Sequence, residues 1–305
     1  MTMDRPYTGI LLMLAFCVLA PLGDSIAKVL GGVVSLGMLI LVRFAVQALV
    51  LLPIVWTTGM GLRLPAGTLW LTLLRSALHI IGIGLMFIAL RYLPLADALA
   101  IAFVMPFILL LLGYFVMGEV VGAQRMAAVV VGFGGTLLVI QPNFAQVGWP
   151  ALLPLGVAVI FALFMMVTRK IARQIDPVKL QAISGIQASL ILIPLMVMFP
   201  DRGITALTMP DGPTAAMLLL LGLLGTAAHL AMTWSLRFAP ASTLAPMQYL
   251  EIPFGTLIGW LVFRDLPNGM AAIGIIITIA AGLYIIARER RLAQAHRSAP
   301  VAPSQ

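Results

Sequence analysis

Ten apolar stretches run the length of the chain, at residues 8–30, 36–56, 68–90, 93–116, 123–140, 149–168, 179–199, 214–236, 241–263 and 269–287. Each is long enough to cross a bilayer. A spanning helix needs about 20 apolar residues, because a rise of about 1.5 Å per residue must cover about 30 Å of hydrocarbon. The connections are short and rich in helix breakers: Gly31-Gly32, Thr57-Thr58-Gly59, Pro94, Gln141-Pro142-Asn143, Asp176-Pro177, Pro210-Asp211-Gly212-Pro213, Pro240 and Pro267-Asn268-Gly269. The pattern predicts an all-α integral membrane protein of ten transmembrane helices. No connection is long enough for a soluble domain. Arg5 and the apolar run to Leu22 look like a signal peptide, but no small-x-small cleavage site precedes a soluble domain, so this run is expected to remain the first span. From Arg288 the sequence turns polar, and 289–305 is expected as a cytoplasmic tail, disordered at its end.

Within the pattern lies a repeat. Residues 86–119 and 232–265 align without gaps and share Met86/Met232, Leu90/Leu236, Arg91/Arg237, Pro94/Pro240, Leu111/Leu257, Gly113/Gly259 and Val116/Val262. So apolar a composition gives about three identities by chance. Phe103/Tyr249, Tyr114/Trp260 and Glu119/Asp265 are conservative pairs, while Pro106 and Pro253 are one residue out of register. The expected units are 1–145 and 146–288, within one membrane domain. Five spans per unit is an odd number, so the second copy enters the membrane inverted, a device of many transporters.

Charge then sets an orientation. With the N-terminus in the cytoplasm, Arg5, Arg63, Arg125, Arg169, Lys170, Arg173, Lys179, Arg237, Arg288, Arg290, Arg291 and Arg297 fall inside. Lys28, Arg91, Arg202 and Arg264 fall outside. That bias predicts both termini on the cytoplasmic side of a bacterial inner membrane. Composition agrees: 62% hydrophobic residues and 9% charged, with mean hydropathy +1.12, would leave a water-soluble protein without enough polar surface. The net charge of +8 forms no patch for nucleic acid. A single cysteine, Cys17, excludes internal disulfides and cysteine metal clusters and reads as packing.

Ten spans, a five-plus-five repeat, and a fourth span in each half ending in Gly113-Tyr114…Glu119 and Gly259-Trp260…Asp265 resemble the drug/metabolite transporter superfamily, in particular its EamA-type members. The resemblance covers nearly the whole chain. It implies a cavity between the halves, alternating access and no catalytic set. Its expected cargo is a small polar organic metabolite, amino-acid-like, zwitterionic or cationic, or vitamin-like. Asp24 and Lys28, one turn apart in the first span, look like the subgroup that includes S-adenosylmethionine and riboflavin carriers. Efflux of drugs or toxic compounds is the alternative. The expected partners are the substrate, the lipid bilayer and protons, in a monomer or homodimer, with no cofactor and no metal.

The candidate residues stand out as polar groups at depth, where a charge costs about 2.5–3.5 kcal/mol on insertion scales. Glu251 comes first, in a stretch, 237–265, that reads as one continuous helix. Gln248, Glu251, Gly255 and Gly259 share a stripe, and Gly255 with Gly259 allows close helix approach. Glu251 either holds a cationic substrate group or exchanges a proton, or else forms a structural pair. Pro253 removes a backbone donor and should free a carbonyl toward a cavity. His229 is a proton partner for Glu251 or a neutral hydrogen-bonded ring. Arg43 pairs with Asp24 or binds a substrate carboxylate. Asp24 is also placed to pair with Lys28 or to line the outer vestibule, and Arg75, with His79 four residues on, either snorkels toward the cytoplasm or, with that histidine, takes part in function. Tyr249, Trp234, Phe103 and Trp260 are candidates to line a pocket for a planar substrate. Asp97 reads as a helix cap, Glu119 and Asp265 as structural residues that close the following loops, and Pro106, Pro253, Gly113, Gly255 and Gly259 as hinge or packing positions.

Two other classes compete. An intramembrane protease would need paired aspartates in a glycine-rich setting or a Ser–His pair; Asp24 follows Pro21-Leu22-Gly23, and Ser184 and His229 sit in no nucleophile motif. No HExxH, CxxC or Walker lysine motif is present, so the chain is not expected to be an enzyme. A channel would need a continuous polar path, whereas the polar residues here cluster at mid-depth and at the ends.

Overall fold

The computed structural model describes residues 6–117, 122–171, 174–200, 203–207, 209–238, 244 and 247–298. Its helices are α1 (Pro6–Leu30), α2 (Leu36–Thr57), α3 (Leu69–Ala89), α4 (Leu95–Ala102), α5 (Met105–Met117) and α6 (Ala123–Val147). After a 3-10 turn at Trp149–Leu152 come α7 (Leu153–Ile171), α8 (Pro177–Met198), α9 (Gly212–Phe238), α10 (Glu251–Phe263) and α11 (Gly269–Ser298). The starts coincide with the breaker clusters because those residues cap. Ser35 Oγ accepts from Met38 N–H at 3.2 Å, Asp176 Oδ1 from Val178 N–H at 2.9 Å, and Asn268 Oδ1 from Ala271 N–H at 2.8 Å. At the head of α9, Asp211 Oδ1 accepts from Thr214 N–H at 3.1 Å, and the bonding to Thr214 holds its carboxyl below the usual range. Large apolar side chains such as Leu49, Trp56, Trp70, Phe115 and Leu190 are exposed around the outside, where only lipid can accept them.

The fourth and ninth spans depart from the sequence expectation, because neither is one continuous helix. The fourth is α4 and α5, parted by a turn at Phe103–Val104; in the ninth, a turn at Tyr249–Leu250 precedes α10. Proline explains both. Pro106 and Pro253 lack an N–H, and each ring crowds the carbonyl four residues back. The chain responds by tightening: Val104 N–H bonds Ile101 O at 3.2 Å, and Leu250 N–H bonds Met247 O at 2.9 Å. The prolines are one residue out of register, yet the turns fall at equivalent positions of the repeat. The carbonyl behind Pro253 is not free: Tyr249 O accepts from Ile252 N–H at 3.3 Å. Cys17, expected as plain packing, bonds Met247 O at 3.2 Å and so helps satisfy this broken backbone.

Two boundaries also move. Helix α6 continues through Pro142 to Val147, held past the proline by Asn143, whose amide bonds Val139 O at 2.8 Å and Asp97 Oδ2 at 2.9 Å. Helix α11 continues to Ser298, so the polar segment begins as helix rather than as loose chain.

Packing follows the repeat. Helix α1 lies along α9, and its counterpart α7 lies along α3; α1 also meets α10, as α7 meets α4 and α5. Helix α2 meets α9 as α8 meets α3. Two pairs join counterparts directly, α2 with α8 and α6 with α11, and α4 of the fourth span meets α10 of the ninth. The principal contacts therefore run between the halves, which interlock as one body. Glycines permit the closest crossings. A Cβ on Gly185 of α8 would stand 2.9 Å from Phe44 O and Ala48 N of α2, and one on Gly135 of α6 would stand 2.9 Å from Gly274 O of α11. In α10, Gly255 abuts Leu99 of α4, and Gly259 lies beside Leu95. Gly113 lies in α5, and its packing falls outside the described residues.

Gly185→Ala should therefore destabilise the protein by about 1–3 kcal/mol, since backbone at 2.9 Å cannot yield as a side chain can. Gly134→Ala, where a Cβ meets nothing within 4 Å, should stay within about 0.5 kcal/mol of wild type. Unfolding midpoints in detergent measure both.

Candidate functional site

A cavity of about 160 Å³ lies among α1, α2, α3, α4, α5, α7, α9 and the start of α10, so both halves contribute walls. Asp24, Arg43, His229, Gln248 and Glu251 reach it, among the rings of Phe16, Phe87, Phe103, Phe161 and Phe164 and the side chains of Met86, Met105, Met165 and Met232. The break in the ninth span places Glu251 here. It is the first residue of α10 rather than the middle of a continuous helix, so its carboxylate meets the positive end of a helix dipole. Asp24 lies within electrostatic reach of both Arg43 and Glu251, yet neither carboxyl has an ion-pair partner among the described residues.

Arg43 Nη2 is 3.3 Å from His229 Nδ1, and its Nη1 is buried without a partner among the described residues. The guanidinium fits only because residue 225 is glycine: a Cβ there would stand 2.8 Å from Arg43 Nε and 3.0 Å from Cζ. His229 Nδ1 is also 3.1 Å from Gly225 O, and its Nε2 is 3.1 Å from His79 Nε2. Its ring nitrogens are thus occupied by Arg43, Gly225 and His79, and it is no hydrogen-bond partner of Glu251. Around it Gln47 Nε2 donates to Gln181 O at 2.7 Å, and Thr233 Oγ1 bonds His229 O at 2.6 Å. This polar layer was visible in the sequence only as scattered Gln and Thr residues.

Several expectations are corrected. Trp234 is 36% exposed on the outer surface and does not line the cavity; Trp260 is likewise exposed. Aromatic residues satisfy lipid as readily as a pocket wall, and helical spacing does not distinguish the two. Tyr249 is buried, but its ring packs on Phe103 with centroids 5.4 Å apart, and its hydroxyl lies against Gly282 of α11 without a hydrogen-bond partner among the described residues. Equivalent residues of the two broken spans thus pack on each other, with ring planes tilted by 44°. Of this pair only Phe103 reaches the cavity.

Arg75 does not snorkel. It is 1% exposed, donating from Nε to Thr168 Oγ1 at 3.0 Å and from Nη1 to Ser184 Oγ at 2.6 Å, with its guanidinium 4.6 Å from the Phe164 ring centre. Lys28 turns away from Asp24: Nζ donates to Leu93 O at 2.8 Å and Asp265 Oδ2 at 3.3 Å, and lies 4.8 Å from the Phe263 ring centre. A tertiary partner has displaced the one-turn pairing. Asp265 therefore ties α10 to α1 rather than closing the next loop, and Glu119 lies outside the described residues. Asp97, in the first turn of α4, caps no backbone group and instead accepts from Asn143.

A ten-span, internally repeated membrane fold around a central cavity of mixed charge defines a transporter. The chain belongs to the EamA-like transporter family, whose model matches twice, at residues 7–141 and 148–288. It is 30% identical over 228 residues to a riboflavin transporter of Rhizobium johnstonii, covering 73% of this chain and 72% of that one. It is 25% identical to an S-adenosylmethionine uptake transporter of Rickettsia prowazekii, over 93% of this chain and 94% of the relative. A solved structure matches 92% of this chain and 97% of its own with TM-score 0.62 at 21% identity, a likeness of fold alone.

Gly225→Ala should push the guanidinium off His229. A hydrogen bond to a charged group is worth about 1.5–3 kcal/mol, so transport should fall by about tenfold or more while the unfolding midpoint moves little. Initial uptake rates in proteoliposomes, compared with midpoints in detergent, measure this.

Proposed function

We propose that this chain is a secondary carrier in which the cavity holds a planar-ringed organic metabolite bearing a positive charge, zwitterionic or cationic. The observation that carries the reading is one cavity containing both Arg43 and the Asp24–Glu251 pair within a wall of phenylalanines. The carboxyls receive the cationic group, Arg43 receives a carboxylate or carbonyl, and the rings stack on the planar part. S-adenosylmethionine, named for one relative, has this chemistry. Riboflavin, named for another, is a second reading, favoured by the 30% identity and by the ring-lined wall. A drug-efflux role has less support, because these relatives are named for metabolites.

Alternating access follows from the inverted repeat: helix bundles drawn from both interlocked halves rock about the cavity and expose it to each face in turn. Glu251 exchanges a proton as the site changes sides. Both termini lie in the cytoplasm of a bacterial inner membrane, on the side with more lysine and arginine.

Glu251→Gln removes the charge and keeps the shape. Uptake of S-adenosylmethionine and of riboflavin into proteoliposomes, with and without a pH gradient, tests the role. The substitution should abolish uptake or remove its response to the gradient, with the unfolding midpoint retained. Uptake at the wild-type rate under both conditions contradicts it.

A further inference from the structure

Between the cavity and the face at which α3 and α8 begin lies a seam of polar side chains. On α3 the cavity is lined by Ile83, Met86 and Phe87, and Thr72, Arg75 and Ser76 lie nearer that face. On α7 the wall ends at Met165, and Thr168 lies beyond it. Helix α8 lines no part of the cavity and supplies Ser184 and Gln187. None of these six polar residues is more than 8% exposed, so the seam is shut.

They close on one another. Arg75 Nε donates to Thr168 Oγ1 at 3.0 Å, and its Nη1 donates to Ser184 Oγ at 2.6 Å. Ser76 Oγ donates to Gln187 Oε1 at 2.8 Å, and Gln187 Nε2 donates to Thr72 Oγ1 at 2.9 Å. Every one of these bonds joins α3 to α7 or α8, and so crosses between the halves.

Stability alone does not explain this seam. Apolar side chains of the same volume would hold the helices as well, without placing a cation in hydrocarbon. The choice of partners is informative. No carboxylate pairs with Arg75 among the described residues. A carboxylate would bind the guanidinium strongly and would need a new partner once the helices parted. Hydroxyls hold it less strongly, and both can turn to carbonyls of their own helices when it leaves. Parting into lipid would leave the guanidinium unmet, but parting into water would not. Arg75 therefore has two environments that satisfy it, the shut seam and water.

We propose that this seam is the gate between the cavity and the face at which α3 begins, and that Arg75 sets how readily it opens. Thr168 and Ser184 hold the guanidinium while the ends of α3, α7 and α8 at that face are together, and water holds it when they part. With the termini oriented as above, that face is the cytoplasm. The inference rests on the reading of the chain as a carrier with alternating access.

Cysteine labelling tests it without a substrate. Cys17→Ser removes the native thiol, and Ser76→Cys places one in the seam. A membrane-impermeant maleimide is applied to right-side-out and to inside-out vesicles. The thiol should label slowly, and only from the face at which α3 begins. Thr168→Val and Ser184→Ala each strip the shut guanidinium of one acceptor and should speed labelling about tenfold. Arg75→Met leaves an apolar seam that water has no reason to enter, and should slow it. Ser25→Cys, also buried but nearer the other face, reports general loosening, and its labelling should not rise in either hydroxyl variant. Label arriving at Ser76→Cys from the opposite face, a rate unchanged in both hydroxyl variants, a faster rate in Arg75→Met, or an equal rise at Ser25→Cys overturns the inference. If neither S-adenosylmethionine nor riboflavin is taken up, the reading of the substrate falls, and the labelling still decides the gate.

Discussion

A positive charge within hydrocarbon must be met by something, and in this chain the buried cations of one half are met by the other. Arg43 reaches His229 and Arg75 reaches Thr168 and Ser184, while Lys28, only partly buried, reaches Asp265 as well as Leu93 O of its own half. At about 2.5–3.5 kcal/mol per charge at mid-depth, against about 1.5–3 kcal/mol for each bond to a charged group, one or two such bonds offset the cost. The halves consequently cannot part without leaving those charges unmet. The same demand fixes how the helices pair: α2 against α9, α3 against α7 and α8, and α1 against α10 are the contacts through which these side chains cross.

Cavity and scaffold share one origin in the broken spans. A continuous ninth helix would carry Glu251 as an isolated charge in mid-helix. The turn at Tyr249–Leu250 makes it the first residue of α10, beside the cavity. The equivalent turn at Phe103–Val104 brings Phe103 onto Tyr249, so the two breaks support one another near the centre. The scaffold is nearly symmetric there, but the repeat positions of Gln248 and Glu251 are Ala102 and Met105 in the first half. The charged chemistry of the cavity is therefore divided: Glu251 comes from the second half, and Arg43 and Asp24 come from α2 and α1 of the first.

Hydropathy made the fold legible, because bilayer thickness imposes a length that sequence displays directly. Glu251, Asp24, Arg43, His229 and Gln248 were legible as polar residues where polarity is costly, and the fold gathers them. Other features were hidden for identifiable reasons. Lys28 and Asp24 satisfy local pairing rules, and nothing local announces that Asp265 is closer. Arg75 lies six residues inside its helix, a depth equally consistent with snorkelling and with burial. Trp234 shows that an aromatic ring gives no sign of which side of a helix is lipid. Pro106 and Pro253 were visible, but a one-residue offset obscured that both breaks occupy the same place in the repeat.

The central claim is a carrier whose single cavity is offered to each side of the membrane in turn. Counterflow tests it most directly: proteoliposomes loaded with excess unlabelled S-adenosylmethionine or riboflavin are diluted into a trace of the same labelled compound. The account predicts transient accumulation of label above its equilibrium level with at least one of them, saturable in the external concentration. Flux that rises linearly with concentration and never overshoots would contradict it.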